Sequence, residues 1–176
     1  MSQEREPNWI ISEKFEQAAS GKPKPRKKDI PAFMADLVIE HKGHQVRGAL
    51  EIPVPVKQTV KITVTFHEVN AGWDQALTLD TNGHLLCNGV KSQEGVELWT
   101  KTAPPEVTLD CNSKNGKLWV WNTWSTGPRI THSMINCSGI ITVQKADNEW
   151  ELYCNDGFPD DDFDDLIVGI SITEPA

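Results

Sequence analysis

Tyrosine is almost missing from this 176-residue chain, with one Tyr against seven Trp, and residues 151 to 176 contain no lysine or arginine at all. No apolar run approaches the ~18 residues that a membrane span needs. The N-terminal stretch MSQEREPNWIISEKFEQAA carries charges where a secretory signal requires an apolar centre, so a cytoplasmic location is the default expectation, with release by a non-classical route as the way out of the cell. Close cysteine pairs are also lacking. Cys87, Cys111, Cys137 and Cys154 lie 24, 26 and 17 positions apart, which excludes the usual zinc spacing. Their number permits two disulfides, but their setting in segments such as HLLCNGV and MINCSGIITV favours buried thiols. The metalloprotease helix, the nucleophile elbow, the P-loop and the dinucleotide fingerprint are all absent.

What is present is a strong asymmetry of charge. Glu151, Asp156, Asp160, Asp161, Asp162, Asp164, Asp165 and Glu174 give the C-terminal segment a charge of −8, equal to the formal net charge of the whole protein. The rest of the chain therefore balances to zero, and the basic face of a nucleic-acid binder is not expected. Five basic residues do occur together, in SGKPKPRKKDI at 20 to 30, but with Gly and two Pro beside them they have the composition of a solvated tether. Before the tether, Trp9, Ile10, Phe15 and Ala18 are spaced for one short helix. Residues 1–34 are accordingly assigned to an arm with a basic linker, and 35–176 to a single domain.

From about residue 35 the pattern is that of strands. ADLVIEHKGHQVRGALEIPV contains a hairpin signature at HKGH, and TVKITVTFHEV places Val60, Ile62, Val64 and Phe66 on one face by strict alternation. Turns are expected at Asn82-Gly83, at Asn115-Gly116 and at Ala146 to Asn148. LIVGISI closes the series. No amphipathic helix interrupts it, and the spacing predicts an antiparallel β-sandwich of about eight or nine strands.

The segment CNDGFPDDDFDDLIVGISI crowds carboxylates against an apolar strand. Repulsion among so many like charges opposes folding unless a cation neutralises them. With neither His nor Cys in the run itself, an all-oxygen donor set selects Ca²⁺, and the expected ligands are Asp160, Asp162, Asp164 and Asp165 around one or two ions. Gly157 and Pro159 supply the bend that returns Asp156 or Asn155 to the same centre. The EF-hand alternative fails, because Asp165 stands where that loop needs Gly and Ser171 where it needs Glu.

NDGFPDDDFDDLIVGISI also resembles the calcium loop of the small bacterial fucose- and mannose-binding lectins, whose pattern is an acid-Asp-Gly step, a short gap, Asp-Asn-Asp-Tyr-Asn-Asp and a final apolar strand. The resemblance implies two adjacent calcium ions that bind sugar hydroxyls directly. It makes Asp160, Asp162, Asp164 and Asp165 ligands, puts Phe163 in the aromatic position, and lets Asp156 or Asn155 replace the upstream acid. Asp164 stands where those lectins have Asn, and their first Asn ligand has no evident counterpart. In the family a partner subunit's C-terminal carboxylate completes the site, which here implies a homodimer and a role for Ala176.

Two further groups are candidates for ligand contact. Trp119 and Trp121 in KLWVWNTW share one strand face, roughly 7 Å apart by strand rise, as a stacking platform if exposed or as core if covered. FHEVNAGWDQALTLD gathers His67, Glu68, Asn70, Trp73 and Asp74 around a Gly-containing loop, a second ligand-contact loop, an acid/base pair of His67 with Asp74, or a plain turn between two strands. The sequence thus predicts a calcium-dependent carbohydrate-binding β-sandwich whose partner is a saccharide or another small polar ligand. The alternatives are a sandwich with purely structural calcium that binds a protein or membrane partner, and an enzyme using loop Asp and His residues.

Overall fold

The computed structural model describes residues 9–135, 137–160 and 162–173. It has two short helices, α1 (Ile10–Ala19) and α2 (Ile30–Asp36), joined through a single 3-10 turn at Lys27–Asp29. Twelve strands follow among the described residues. They are β1 (Val38–His41), β2 (His44–Arg47), β3 (Leu50–Pro53), β4 (Thr59–Val69), β5 (Asp74–Cys87), β6 (Val90–Ser92), β7 (Val96–Trp99), β8 (Glu106–Gly127), β9 (Ile130–Ser133), β10 (Gly139–Ala146), β11 (Glu149–Asn155) and β12 (Leu166–Thr173). All their pairings are antiparallel; nine strands form the path β1-β2-β10-β11-β12-β4-β8-β5-β6, and off it β3 and β9 pair with β8 and β7 with β5. The architecture is the expected antiparallel β-sandwich, with more strands than the eight or nine anticipated.

The 22-residue β8 is the spine of the molecule. One of its edges is taken by β5, from Asp74↔Ser125 to Leu86↔Asp110. The other is shared in succession by β4 (Thr65↔Glu106 to Thr59↔Asn112), β3 (Pro53↔Lys117 to Leu50↔Val120) and β9 (Ser133↔Thr123 to Ile130↔Gly127). Strands that would otherwise be far apart thereby fold over one core, in which Ile62, Leu77, Leu79, Leu118, Leu152 and Leu166 are fully buried. Cys87, Cys111, Cys137 and Cys154 form no disulfide among the described residues, and all but Cys87 are buried. Burial pushes the Cys111 thiol up to about 11, so it is a core residue with no nucleophilic character at neutral pH.

Two predicted turns are corrected. Asn82-Gly83 and Asn115-Gly116 lie inside β5 and β8, as irregularities in continuous strands. The register shifts between Thr81 and Gly83, and Gly83 there adopts φ +148°, where a Cβ would lie 2.0 Å from the Asn112 carbonyl oxygen. An Asn-Gly pair serves a bulge as readily as a hairpin, because both need backbone that only Gly adopts without strain. The hairpin at Lys42-Gly43 forms as expected, with φ of +49° and +81° at the two turn residues.

The arm also behaves differently from a tether at its two ends. Ile11 and Phe15 of α1 are buried in a second cluster with Leu37, Ile39, Val46, Cys137 and Phe163, so α1 packs directly behind the acidic segment. The unanticipated α2, with Pro at its first turn, spans the 34/35 boundary, inserts Ala35 into the main core and packs on β2, β3 and β8. Between them, Lys22, Lys24, Lys27 and Lys28 are exposed.

Gly83→Ala is expected to cost about 1–3 kcal/mol in urea unfolding, since the added methyl meets the Asn112 carbonyl in a conformation that disfavours Cβ. Gly72→Ala, where nothing lies within 4 Å of the new atom, should stay within about 0.5 kcal/mol of the parent.

Candidate functional site

The acidic loop connects β11 to β12, two neighbouring strands of the sheet interior. Its inner end is organised by Asn155, which is fully buried. The Asn155 Nδ2 donates to the Asp160 carbonyl at 2.7 Å and reaches the Cys137 carbonyl at 3.4 Å, while Oδ1 accepts from the Phe163 amide at 3.0 Å. From outside the loop, Asn122 Nδ2 donates to the Asn155 carbonyl at 2.8 Å. Asn155 thus serves as the tie that closes the loop on itself. Phe163, held at φ +53°, turns its ring into the cluster beneath α1. Gly157 is required by contact: a Cβ there would lie 2.5 Å from the indole of Trp124, which is itself almost fully buried.

Two carboxylates are carried into the interior by this closure. Asp156 and Asp165 are 2% and 6% exposed. Asp165 Oδ2 accepts from the Asp156 amide at 2.9 Å; Asp156 in turn accepts from the Phe158 amide at 3.0 Å and from Gln75 Nε2 at 3.0 Å. Neither has a cationic partner among the described residues. Burial pushes the Asp165 carboxyl up to about 8, with the charges of Asp156, Asp160 and Asp164 adding to the rise and the Asp156 amide opposing it. Asp156 is raised in the same way, chiefly by burial, against its hydrogen bonds from Phe158 and Gln75.

Of the other expected ligands, Asp160 and Asp164 are part-exposed and Asp162 is exposed on the solvent side of the loop. Among the described residues no three His, Cys, Asp or Glu side chains close on a common point that would hold a metal ion. The chain end at Ala176 lies outside the described residues. Of the residues grouped in FHEVNAGWDQALTLD, the structure brings Asn70 to the acidic loop, a proximity the sequence did not point to. Asn70 follows β4, whose Val69 pairs with Leu166, and its amide donates to the Asp165 carbonyl at 3.1 Å. Its side-chain amide donates to Glu68 at 3.2 Å. Ninety-five positions separate Asn70 from Asp165 in sequence, so only the β4–β12 pairing reveals their proximity.

The aromatic candidates divide. Trp119 and Trp121 are each only 8% exposed and belong to the main core, so the platform expectation is corrected to core packing. Both faces of this half of β8 are covered, and Trp119 Nε1 is satisfied by Glu51 at 3.0 Å. Trp73 is part-exposed beside the acidic loop. Its ring meets that of Phe158 edge-on, with centroids 6.0 Å apart and planes at 71°. Asp74 is exposed and lies 3.8 Å from Lys101. Trp73 and Asp74 line an open cleft of about 480 Å³ whose far wall is Ser125–Arg129. His67 lines a different and smaller cleft with Glu149, Glu151 and Gly169, so the structure does not assemble it with Asp74 as an acid/base pair.

No protein-family model matches the chain, and no curated protein matches it either. Among solved structures it is similar to the lectin CV2L of Chromobacterium violaceum, determined with alpha-methyl-fucoside, at 17% identity and a TM-score of 0.42, over 72% of this chain and 96% of that one. It is similar also to the C-terminal domain of the lectin BC2L-C of Burkholderia cenocepacia, at 16% identity and a TM-score of 0.41, over the same 72% and 96%. No helix among the described residues is long and apolar enough to cross a membrane.

The elevated carboxyls fix the sign of a pH effect in the presence of chelator. Between the usual carboxylate value of 3.8 and about 8 the folded chain holds a proton on Asp165 that the unfolded chain has released, so stability falls as pH rises through that window. The melting temperature is expected to drop from pH 5 to pH 8, and Asp165→Asn, which keeps an oxygen for the Asp156 amide, should flatten the slope. An unaltered slope in that variant would show that the titration resides elsewhere.

Proposed function

We propose that this protein is a calcium-dependent carbohydrate-binding protein, lectin-like in operation, whose acidic loop between β11 and β12 holds one or two Ca²⁺ ions and presents them to a saccharide. The observation that carries the reading is Asp165: a carboxylate buried at the mouth of a strand, next to Asp156 and in the field of Asp160 and Asp164, with no cationic side chain paired to it among the described residues. Such an arrangement is unfavourable by itself and becomes favourable when a cation enters.

The donor set fits a hard divalent ion. Asp156, Asp160, Asp162, Asp164 and Asp165, with Asn70 beside them, offer only oxygen ligands on an irregular loop, which suits the flexible coordination of Ca²⁺ better than the strict octahedron of Mg²⁺. The bound ion would supply positive charge and coordination positions for vicinal hydroxyls. The chain's own residues prepare the place: Asn155 and Gly157 set the loop's curvature, Phe163 anchors it to the cluster under α1, and Trp73 offers a part-exposed aromatic face at its edge. Asp162 is exposed, Asp160 and Asp164 are part-exposed, and the described carboxylates do not converge on one point, so binding of an ion would draw them together. Most binding sites of this kind are weak enough to need the abundant calcium found outside cells, so the site of action we favour is one reached after release.

Added Ca²⁺ should raise the melting temperature, by the equivalent of about 2.7 kcal/mol at a concentration one hundred times the dissociation constant, and chelator should reverse it. Native mass spectrometry counts the bound ions and the subunits together. On immobilised glycans, retention is expected in calcium and should be lost in chelator or with Asp162→Ala. A calcium-dependent melting shift without retention on any glycan would make the ion structural and sink the lectin reading.

A further inference from the structure

We propose that the cleft beside the acidic loop is an anion subsite, and that the saccharide bound by this protein is an acidic one whose carboxylate lies between Lys101 and Arg129 while its hydroxyls face the loop. This rests on the carbohydrate-binding reading above and names the class of its ligand.

The cleft and the loop share a wall. Trp73 touches Phe158 of the loop, and Gln75, two residues further along β5, hydrogen-bonds Asp156 inside it. Asp74 pairs with Ser125 in register, so the cleft opens where β5 and β8 end together. A volume of about 480 Å³ lies within the range of sites that take one small ligand. A ring resting on Trp73 would therefore have the acidic loop on one side and the β8–β9 turn on the other.

The charge on that turn side is the informative feature. In a protein of net charge −8, two cationic side chains meet at a cleft bordering its most acidic segment. Lys101 is 3.8 Å from Asp74, with side-chain exposures of 74% and 53%; an ion pair so open to water is worth little and exchanges readily for a ligand carboxylate. Arg129 has no carboxylate within ion-pair distance among the described residues. It stands at φ +60° in a turn stiffened by Pro128, and the turn is fixed by Ser125 Oγ donating to the Gly127 carbonyl at 2.8 Å and by a 3.0 Å hydrogen bond between Thr126 Oγ1 and His132 Nε2. A planar guanidinium on a rigid base is suited to hold a planar carboxylate by two parallel hydrogen bonds. Lys101 and Arg129 against Asp74 leave a local charge of +1, which matches a monoanion. A polyanion such as a nucleic acid would meet the aspartates next door.

Calorimetry with calcium in excess over sugar, on the pairs galactose and galacturonate, glucose and glucuronate, and mannose and mannuronate, tests this directly. At least one acid is expected to bind about tenfold more tightly than its neutral parent, with a preference that shrinks as salt is raised. Arg129→Gln and Lys101→Gln should each bring the acid-to-neutral ratio toward one, and Arg129→Lys should keep part of it. Both side chains are exposed, and melting curves verify that the variants fold. Equal affinities within every pair, or a preference that survives both Gln substitutions, overturns the anion subsite. Calcium-dependent binding of neutral sugars without acid preference would do so while sparing the lectin reading; no binding of any sugar defeats both.

Discussion

The interaction on which this structure turns is the repulsion among carboxylates at the start of β12. That strand lies in the interior of the sheet between β11 and β4, with Leu166, Val168, Ile170 and Ile172 buried, so the residue entering it is drawn inward whatever its charge. Asp165 is that residue. Hydrophobic burial of four strand side chains, each worth roughly 1.5–3 kcal/mol, outweighs the cost of desolvating one carboxylate, and the conflict is left in place at the loop. Its position between two strands of a packed sheet keeps it from being relaxed by simple loop motion.

The surrounding residues hold that conflict in a defined geometry. Asn155 takes up loop backbone that would otherwise lie unpaired in the interior, Gly157 lets the chain pass over Trp124, and Phe163 accepts a left-handed backbone in exchange for burial against α1. The N-terminal helix, remote in sequence, is therefore part of the support for the acidic loop. β8 does the same for the cleft: its pairing with β5, in register from Asp74↔Ser125, brings the Ser125–Arg129 turn alongside Trp73, while β9 folds back on the other edge to form that turn.

Much of this was legible beforehand, and the reasons differ from case to case. Alternation in TVKITVTFHEV announced a half-buried strand, and β4 buries Val60, Ile62 and Val64 as that pattern requires. The crowding from Asp160 to Asp165 marked the loop, because local charge density needs no partner to be seen. The Asn-Gly pairs misled, since the same local backbone demand is met by a hairpin or by a bulge and only the facing strand decides between them. Trp119 and Trp121 were undecidable for a related reason: alternation shows which residues share a face, whereas coverage of that face depends on neighbours such as α2 that come from elsewhere in the chain.

By itself, then, the sequence determined the all-β class, the single dense cluster of oxygen donors and the absence of the common enzyme signatures, since each depends on residues near one another along the chain. Only the tertiary structure decided which acids are buried, that Asn70 stands against Asp165, that His67 and Asp74 are apart, and that Lys101 and Arg129 share a cleft with Trp73. These are contacts across strands, and an antiparallel sheet chooses them by register and by the course of its longest strand. Neither is written in any local run of residues.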